Sequence, residues 1–280
     1  KNWKLNIWRE KVMFKNISII GVGNLTQALL TCIKNSQSKF NIKLYDIDKK
    51  KKLHADQDNW KFYAKVNESI KDSDLIIIAV KPNKYHSVCD TINKYNNKRL
   101  VIVSLMAGIS IKDLKNRLSD NYSLARVMTN INAKYGNAIS SICLGQNFSK
   151  EKISSLRKFF SLFGSIKISK SEIEMDKITA LIGSGPAYFI YFAESMIKTF
   201  QKFGFSKDES SRLVSELFYG TAITCKQDKR DFDEIKKSVV SKGGTTEAAL
   251  KNFDKLQTKK IIMESIKKAY FKARNIGKCK

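Results

Sequence analysis

Two short glycine-bearing segments hold most of the residues whose types and spacing could do chemistry in this 280-residue chain. The first, ISIIGVGNLTQALL over Ile17 to Leu30, reads as a strand, a glycine turn and a helix in immediate succession. Gly21 permits a tight turn and Gly23 lets backbone approach a pyrophosphate, while the free N–H groups and positive end of the following helix face the phosphates. Thr26 stands where the usual fingerprint has its third glycine, so a glycine turn with no ligand is an alternative reading. The second segment, SKGGTTEAAL over Ser241 to Leu250, places a glycine pair at the opening of a helix. Several backbone N–H groups are then exposed at the positive end of the dipole, and the hydroxyls of Thr245 and Thr246 add donors. Such a site suits a carboxylate or a phosphate, and a plain helix cap would use the same residues.

Other residues extend the first segment. Asp46 ends a second strand about 20 residues past the glycines, where an acid would hydrogen-bond the adenosine ribose hydroxyls. A carboxylate there favours NADH, whereas the Lys49 to Lys52 run just beyond could bind a 2′-phosphate and favour NADPH, so either cofactor is expected. Ala79, Val80, Lys81 and Pro82 close one strand and Ser104 to Gly108 (SLMAG) another, at the edge where ligands lie in open α/β sheets. Small residues at both ends would let a flat nicotinamide ring lie close to backbone, although ordinary strand-to-helix turns look the same.

Composition removes several other chemistries. Cys32, Cys89, Cys143, Cys225 and Cys279 are widely spaced, odd in number and include no CxxC pair, which argues for reduced thiols and a cytoplasmic location. With only His54 and His86 available, neither a zinc site nor a Ser/His/Asp triad has much to build on, and no metal is expected. The formal net charge of +26 would ordinarily raise nucleic-acid binding. The excess is mostly Lys scattered among abundant Asn and Ile, which reads as coding bias, so no nucleic-acid partner is expected. No uninterrupted apolar stretch of about 18 residues occurs, which argues against a membrane span. Residues 1–12 are basic and read as an extension, with a targeting peptide as the rival reading despite the absence of Ser and the single Arg.

These residues need a scaffold. The first half alternates apolar β-type runs with amphipathic helical stretches, the pattern of a parallel sheet wrapped by helices. Strands are predicted at Asn16 to Ile20, Ile42 to Tyr45, Leu75 to Val80, Leu100 to Ser104 and Ser123 to Val127. The unbroken runs LIIIAV and LVIV suit central strands covered on both faces. From Ser171 onward helical patterns take over, so the domains are read as 13–170, Rossmann-like and dinucleotide-binding, and 171–280, all-helical. The segment Gly183 to Phe203 is apolar nearly all round and must be buried, in a core or between subunits. Ser206 is a candidate N-cap for a helix from Lys207 to Lys226, with Glu209 as its capping-box partner.

Two further segments, RVMTNINAKYG over Arg126 to Gly136 and TALIGSGPAY over Thr179 to Tyr188, together with SKGGTTEAAL and the segments above, resemble the pyrroline-5-carboxylate reductase family in order along nearly the whole chain from Met13. GSGPAY opening a long helix and GGTT about 60 residues later are the specific ones. The resemblance implies an N-terminal Rossmann-like doubly wound α/β domain and an all-α C-terminal domain that forms a homodimer, often within a larger ring. It implies NADPH- or NADH-dependent reduction of a small cyclic imine, the last step of proline synthesis. In the family the GGTT loop and the serine before it hold the substrate carboxylate, which assigns Ser241, Gly244, Thr245 and Thr246. Thr246 is the candidate for the hydroxyl near the imine nitrogen, acting as a hydrogen-bond partner. The cofactor set becomes Gly21, Gly23, Asn24, Leu25, Asp46, Ala79, Val80, Lys81, Pro82, Ala107, Gly108 and Asn130.

Departures from the family pattern are local. PNTP is usual after the arginine and methionine, where this chain has Thr129, Asn130, Ile131 and Asn132, and proline is usual where Lys242 sits. Threonine at the first of these positions is found in some members; loss of the prolines at Asn132 and Lys242 is expected to loosen two loops and to lower turnover or change the imine, while Lys242 puts a cation beside the carboxylate site. Rival readings are a related imine or ketimine reductase, a short-chain hydroxyacid dehydrogenase, a nucleic-acid-binding protein and a non-catalytic family member. The hydroxyacid enzymes generally need a lysine base early in the helical domain, and GSGPAYFIYFAE offers none before Lys198.

Overall fold

In the computed structural model the described residues are 14–36, 38–56, 60–95 and 100–276. The expected extension 1–12, Met13 and Cys279 lie outside them. Among the described residues eight strands form one sheet: β1 (Asn16–Ile20), β2 (Asn41–Tyr45), β3 (Lys61–Phe62), β4 (Leu75–Ile78), β5 (Val101–Ser104), β6 (Ser123–Met128), β7 (Ala138–Leu144) and β8 (Gly164–Ile168). Their order is β3-β2-β1-β4-β5-β6-β7-β8, parallel throughout except for the β6–β7 pair. The helices are α1 (Asn24–Asn35), α2 (Leu53–Asp56), α3 (Val66–Ile70), α4 (Tyr85–Asn93), α5 (Ile111–Lys115), α6 (Lys150–Ser161), α7 (Glu172–Ile178), α8 (Gly185–Lys202), α9 (Lys207–Gln227), α10 (Phe232–Ser238), α11 (Thr245–Lys255) and α12 (Thr258–Ile276).

The apolar runs behave as their lack of alternation requires. Ile17, Ile19, Leu75, Ile77, Val101 and Val103 enter one core with Leu29, Ile33, Leu156 and Phe160 from α1 and α6. Ile20, Ile76, Ile78 and Ile102 enter a second with Val88, Cys89, Leu114 and Met175 from α4, α5 and α7. Both faces of β1, β4 and β5 are therefore covered, as strands in a doubly wound sheet must be.

Three strands lie outside the five predicted. β3 has two residues, too few for a periodic signal. β7 carries Ser140 and Ser141 at fully buried positions, where their hydroxyls meet those of Thr129 at 3.0 Å and Ser169 at 2.7 Å. Those partners satisfy hydroxyls that would otherwise be costly to bury, and the serines break the apolar run a reader looks for. β8 sits at the sheet edge and is mostly exposed or half-buried.

Contacts divide the chain into two compact units, one reaching Ser184 and including the end of α12 from Ala269, the other running from Gly185 to Lys268. The change of pattern near Ser169 to Glu172 marks where strands end, whereas α7 and the π-helical turn Thr179–Gly183 pack with the sheet unit. Within the second unit α8 pairs with α9, with Val214 buried and Phe192 facing Phe218 at 6.2 Å. The apolar helix α8 is nonetheless left bare over much of its surface, with Phe189 69% and Tyr191 73% exposed. It is not buried in this chain's own core, which leaves the between-subunits reading. Ser206 does cap α9, its hydroxyl accepting the Glu209 N–H at 3.2 Å, although the reciprocal carboxylate contact is not made.

One buried ion pair ties α7 to the sheet. Arg126 on β6 is 2% exposed and donates to Asp176 at 3.1 Å, with Glu172 at 3.6 Å. Glu172 in turn accepts the Ile111 N–H at 2.7 Å, so α5 joins the same network, while Arg126 Nε finds no partner. Removing Asp176 leaves the buried guanidinium with Glu172 alone, at 3.6 Å and without a hydrogen bond to it, which costs more than the pair contributes. Asp176→Ala is expected to lower stability by about 3 kcal/mol. The urea midpoint should fall at unchanged slope, and a midpoint equal to the parent's would show that α7 is held by its apolar contacts alone.

Candidate active site

The strand order reverses beside β1, which pairs with β2 on one side and β4 on the other, and the glycine turn leaves the sheet there. Gly21 has φ +101, and a Cβ on it would meet Ala79 O at 2.6 Å and Val80 N at 2.9 Å. No side chain fits between these strand ends, so glycine is required twice over, by conformation and by space. The Gly21 N–H donates to Tyr45 O at 2.8 Å and the Val22 N–H to Asp46 Oδ2 at 2.6 Å. Thr26, buried where a third glycine is usual, donates its hydroxyl to Gly21 O at 2.8 Å. The threonine therefore closes the turn from below instead of opening it.

At Gly23 a Cβ would meet nothing within 4 Å, and Gly23 begins α1 with no side-chain cap and no acid in the first turn. The first amides of α1 are thus available to an anion in front of open space. That space is a cleft of about 420 Å³ lined by Gly23, Asn24, Leu25, Thr26, Ala79, Val80, Pro82, Leu105, Met106, Ala107 and Ile276. A dinucleotide's pyrophosphate and a flat ring both fit this lining, which joins unfilled amides to small apolar strand ends. A second hollow of similar volume follows the outer side of α1 past Gln27, Thr31, His54, Trp60 and Tyr135, and holds no strand end.

Of the expected cofactor residues, Gly23, Asn24, Leu25, Ala79, Val80, Pro82 and Ala107 line one cleft. Gly21 and Asp46 shape its turn, whereas Lys81, Gly108 and Asn130 do not line it. Asp46 spends its carboxylate on the Val22 and Asp48 amides, the latter at 2.8 Å, so it builds the turn whatever else it binds. Asn130 is buried, its Oδ1 accepting the Asn132 N–H at 3.1 Å and its Nδ2 donating to Ile182 O at 2.9 Å. A proline at Asn132 could not make the first of these bonds, so the loop expected to be loosened is instead braced through an N–H that proline lacks. Leu105, Met106 and Ile276 were not anticipated. The first two lie inside the SLMAG segment, but Ile276 carries no signal in the sequence.

The second glycine segment lies within the other unit. Gly243 has φ +74, and a Cβ on Gly244 would meet Ser241 Oγ at 2.3 Å. The Gly244 N–H donates to Ser241 O at 3.0 Å, closing a turn that Lys242 leaves exposed to solvent. Gly244 then begins α11 with no side-chain cap, so the amides of Thr245 and Thr246 open the helix beside their own hydroxyls. Glu247 was not anticipated here; its carboxylate accepts the Gly243 N–H at 2.7 Å, and Lys251 lies 3.1 Å from its other oxygen. The Gly243 amide, then the Lys251 ammonium, holds the Glu247 carboxyl below its ordinary pKa. An acid at the third helical residue reaching back to the turn is a known sequence signal, so this contact was legible.

The thiols of Cys89 and Cys143 are held protonated. Burial, with Asp90 nearby, pushes Cys89 up to about 12, and burial followed by Glu172 raises Cys143, so neither is a thiolate near neutrality. No cluster of metal-ligating side chains occurs among the described residues, and no described helix is long and apolar enough to cross a membrane.

Comparison with known proteins bears on both units. Residues 172–276 match the model for pyrroline-5-carboxylate reductase dimerisation, and residues 16–108 match that for NADP oxidoreductase, coenzyme F420-dependent. The bare apolar helix α8 falls within the dimerisation match. A pyrroline-5-carboxylate reductase of Staphylococcus epidermidis is 30% identical over 234 residues, covering 82% of this chain and 86% of that protein. One from Staphylococcus aureus is 30% identical over 239 residues at the same coverage. The structure of Plasmodium falciparum pyrroline carboxylate reductase with NADP bound matches at TM-score 0.87 and 26% identity, covering 96% of this chain and 100% of that one. That of the Streptococcus pyogenes 1-pyrroline-5-carboxylate reductase matches at TM-score 0.82 and 27% identity, covering 94% and 98%. A Rossmann-like sheet with an open cleft over the start of α1, a helical dimerisation region and relatives aligned over most of their length place this chain in the pyrroline-5-carboxylate reductase family of NAD(P)H-dependent oxidoreductases.

Proposed function

We propose that this chain reduces 1-pyrroline-5-carboxylate to L-proline with NADPH or NADH, acting as a homodimer. The observation that carries the proposal is the cleft at the β1–β4 switch point, where unfilled amides of α1 face open space beside Ala79, Val80 and Ala107. Gly23, Asn24 and Leu25 would hold the pyrophosphate, and the two small strand ends would flank the nicotinamide. When bound, the reduced nicotinamide supplies the hydride. Asp46 at the end of β2 favours ribose hydroxyls, while the exposed Lys49–Lys52 turn offers cations to a 2′-phosphate, so each cofactor has residues to receive it.

The protein's own task is positioning. The amides and hydroxyls of Thr245 and Thr246, with Ser241, would hold the substrate carboxylate at the start of α11, with the Lys242 ammonium nearby. The C=N carbon then takes the hydride and the ring nitrogen ends protonated, with the Thr246 hydroxyl as its hydrogen-bond partner. Threonine does not titrate near neutrality, so the imine enters as its protonated form or takes its proton from water. Because α8 leaves its apolar side chains uncovered, a second copy of the chain completes the helical unit, and a larger ring of such dimers is part of the proposal. The buried free thiols of Cys89 and Cys143 fit a reducing, cytoplasm-like setting.

Two substitutions test the cofactor and carboxylate readings separately. Gly23→Asp puts a carboxylate into the space left for phosphate and is expected to abolish dinucleotide binding in a fluorescence titration while the circular dichroism stays native; retained affinity would rule out the α1 cradle. Thr246→Ala should lower kcat/KM for pyrroline-5-carboxylate roughly 10- to 100-fold, the loss of a hydrogen bond to a charged group, with cofactor affinity unchanged. Parent rates in that variant would take Thr246 out of the mechanism. Steady-state assays with each reduced nicotinamide, against pyrroline-5-carboxylate, piperideine carboxylate and 2-oxo acids, decide substrate and cofactor together. No turnover of any of them would leave the non-catalytic reading standing.

A further inference from the structure

We infer that Glu247 is a positioning residue for substrate binding, one that locks the glycine pair so that the Thr245 and Thr246 amides stay vacant for a carboxylate; the inference rests on the reading of this loop as the carboxylate site. The loop's amides divide into two sets. Gly244 N–H is used by Ser241 O at 3.0 Å, Gly243 N–H by Glu247 Oε2 at 2.7 Å, and Ala248 N–H by Gly244 O at 3.1 Å within the helix. The amides between them, from Thr245 to Glu247, open α11 with no side-chain cap. Glu247 thus satisfies the outermost donor and leaves the inner ones unspent.

The lock is needed because Gly243 is the loosest residue of the loop. Its φ of +74 is one of several wells that glycine visits at little cost, and nothing lies within 4 Å of where its side chain would be. Released from Glu247, Gly243 would be free to rotate, and its N–H would compete with the inner amides for any anion. A carboxylate beside a carboxylate site looks self-defeating at first sight. Lys251 sits 3.1 Å from Glu247 Oε1, however, and Lys242 is exposed in the loop, so the local charge is not negative. The position is solvent-facing as well, where repulsion between like charges is screened.

The test is steady-state kinetics of the full-length dimer with pyrroline-5-carboxylate and the preferred nicotinamide. E247A is expected to raise KM for the imine about tenfold, the value of one well-formed anchoring contact, while kcat and the cofactor KM move less than about twofold. E247Q keeps an acceptor oxygen and should restore most of the loss, which a purely electrostatic role for Glu247 would not allow. G244A, whose Cβ would strike Ser241 Oγ, is the control for the loop itself. If G244A raises the imine KM and E247A does not, the inference about Glu247 falls and the site stands. If neither moves it, the carboxylate reading falls and takes the inference with it. Should E247A fail to remain dimeric by light scattering, K251A replaces it, loosening only the carboxylate. A rise of about two- to threefold in imine KM is then expected, and an unchanged KM overturns the inference.

Discussion

The close approach of Gly21 to the end of β4 sets the geometry on which the rest of the sheet unit's function depends. With Ala79 O only 2.6 Å from where a Cβ would stand, the chain leaving β1 passes directly over the neighbouring strand end. Three separate bonds then fix the turn: Gly21 to Tyr45, Val22 to Asp46, and Thr26 back to Gly21. The turn is thereby tied to β2, to the residue following β2 and to its own helix, so the amides of α1 are aimed by the sheet. An anion site made of backbone needs such bracing, because its donors have no side-chain rotamers to adjust. Asp46 has a double character in consequence, since the acid expected to meet ribose already serves as a strut of the cradle.

The helical unit works by a different principle. Gly243 is exposed and Gly244 half-buried in the single chain, and the apolar helix α8 presents Phe189, Ile190 and Tyr191 to solvent. Such a surface is costly in water and is resolved by association, consistent with the dimerisation match over residues 172–276. The sheet unit has two closed cores and an internal ion network through Arg126 and carries what it needs within itself.

The departures from the usual family pattern are accommodated locally. Where proline would stiffen the stretch after β6, Asn130 reaches over the Asn132 N–H and ties the segment to Ile182. Where proline would precede the glycine pair, a Ser241 to Gly244 turn and the Glu247 contact perform the same service. Side-chain hydrogen bonds have taken over from ring rigidity in both places, and each replacement uses an N–H or a carboxylate that sits within a few residues in sequence.

Sequence alone was sufficient for the features that depend on local period and on residue type. The unbroken runs of β4 and β5 disclosed a sheet covered on both sides, the two glycines after β1 disclosed a tight strand-to-helix turn, and the acid three residues into α11 was there to be read as a cap. It could not reveal β7, whose buried serines look polar until Thr129 and Ser169 are brought alongside, nor the two-residue β3. Nor could it show that Ile276, more than 250 residues from Gly23 in the chain, closes the same cleft, or that Asp46 is bonded to Val22. Periodicity reports which way a side chain faces relative to its own backbone. Which other backbone it then meets is set by strand order and crossover, and that was decided only when the chain folded.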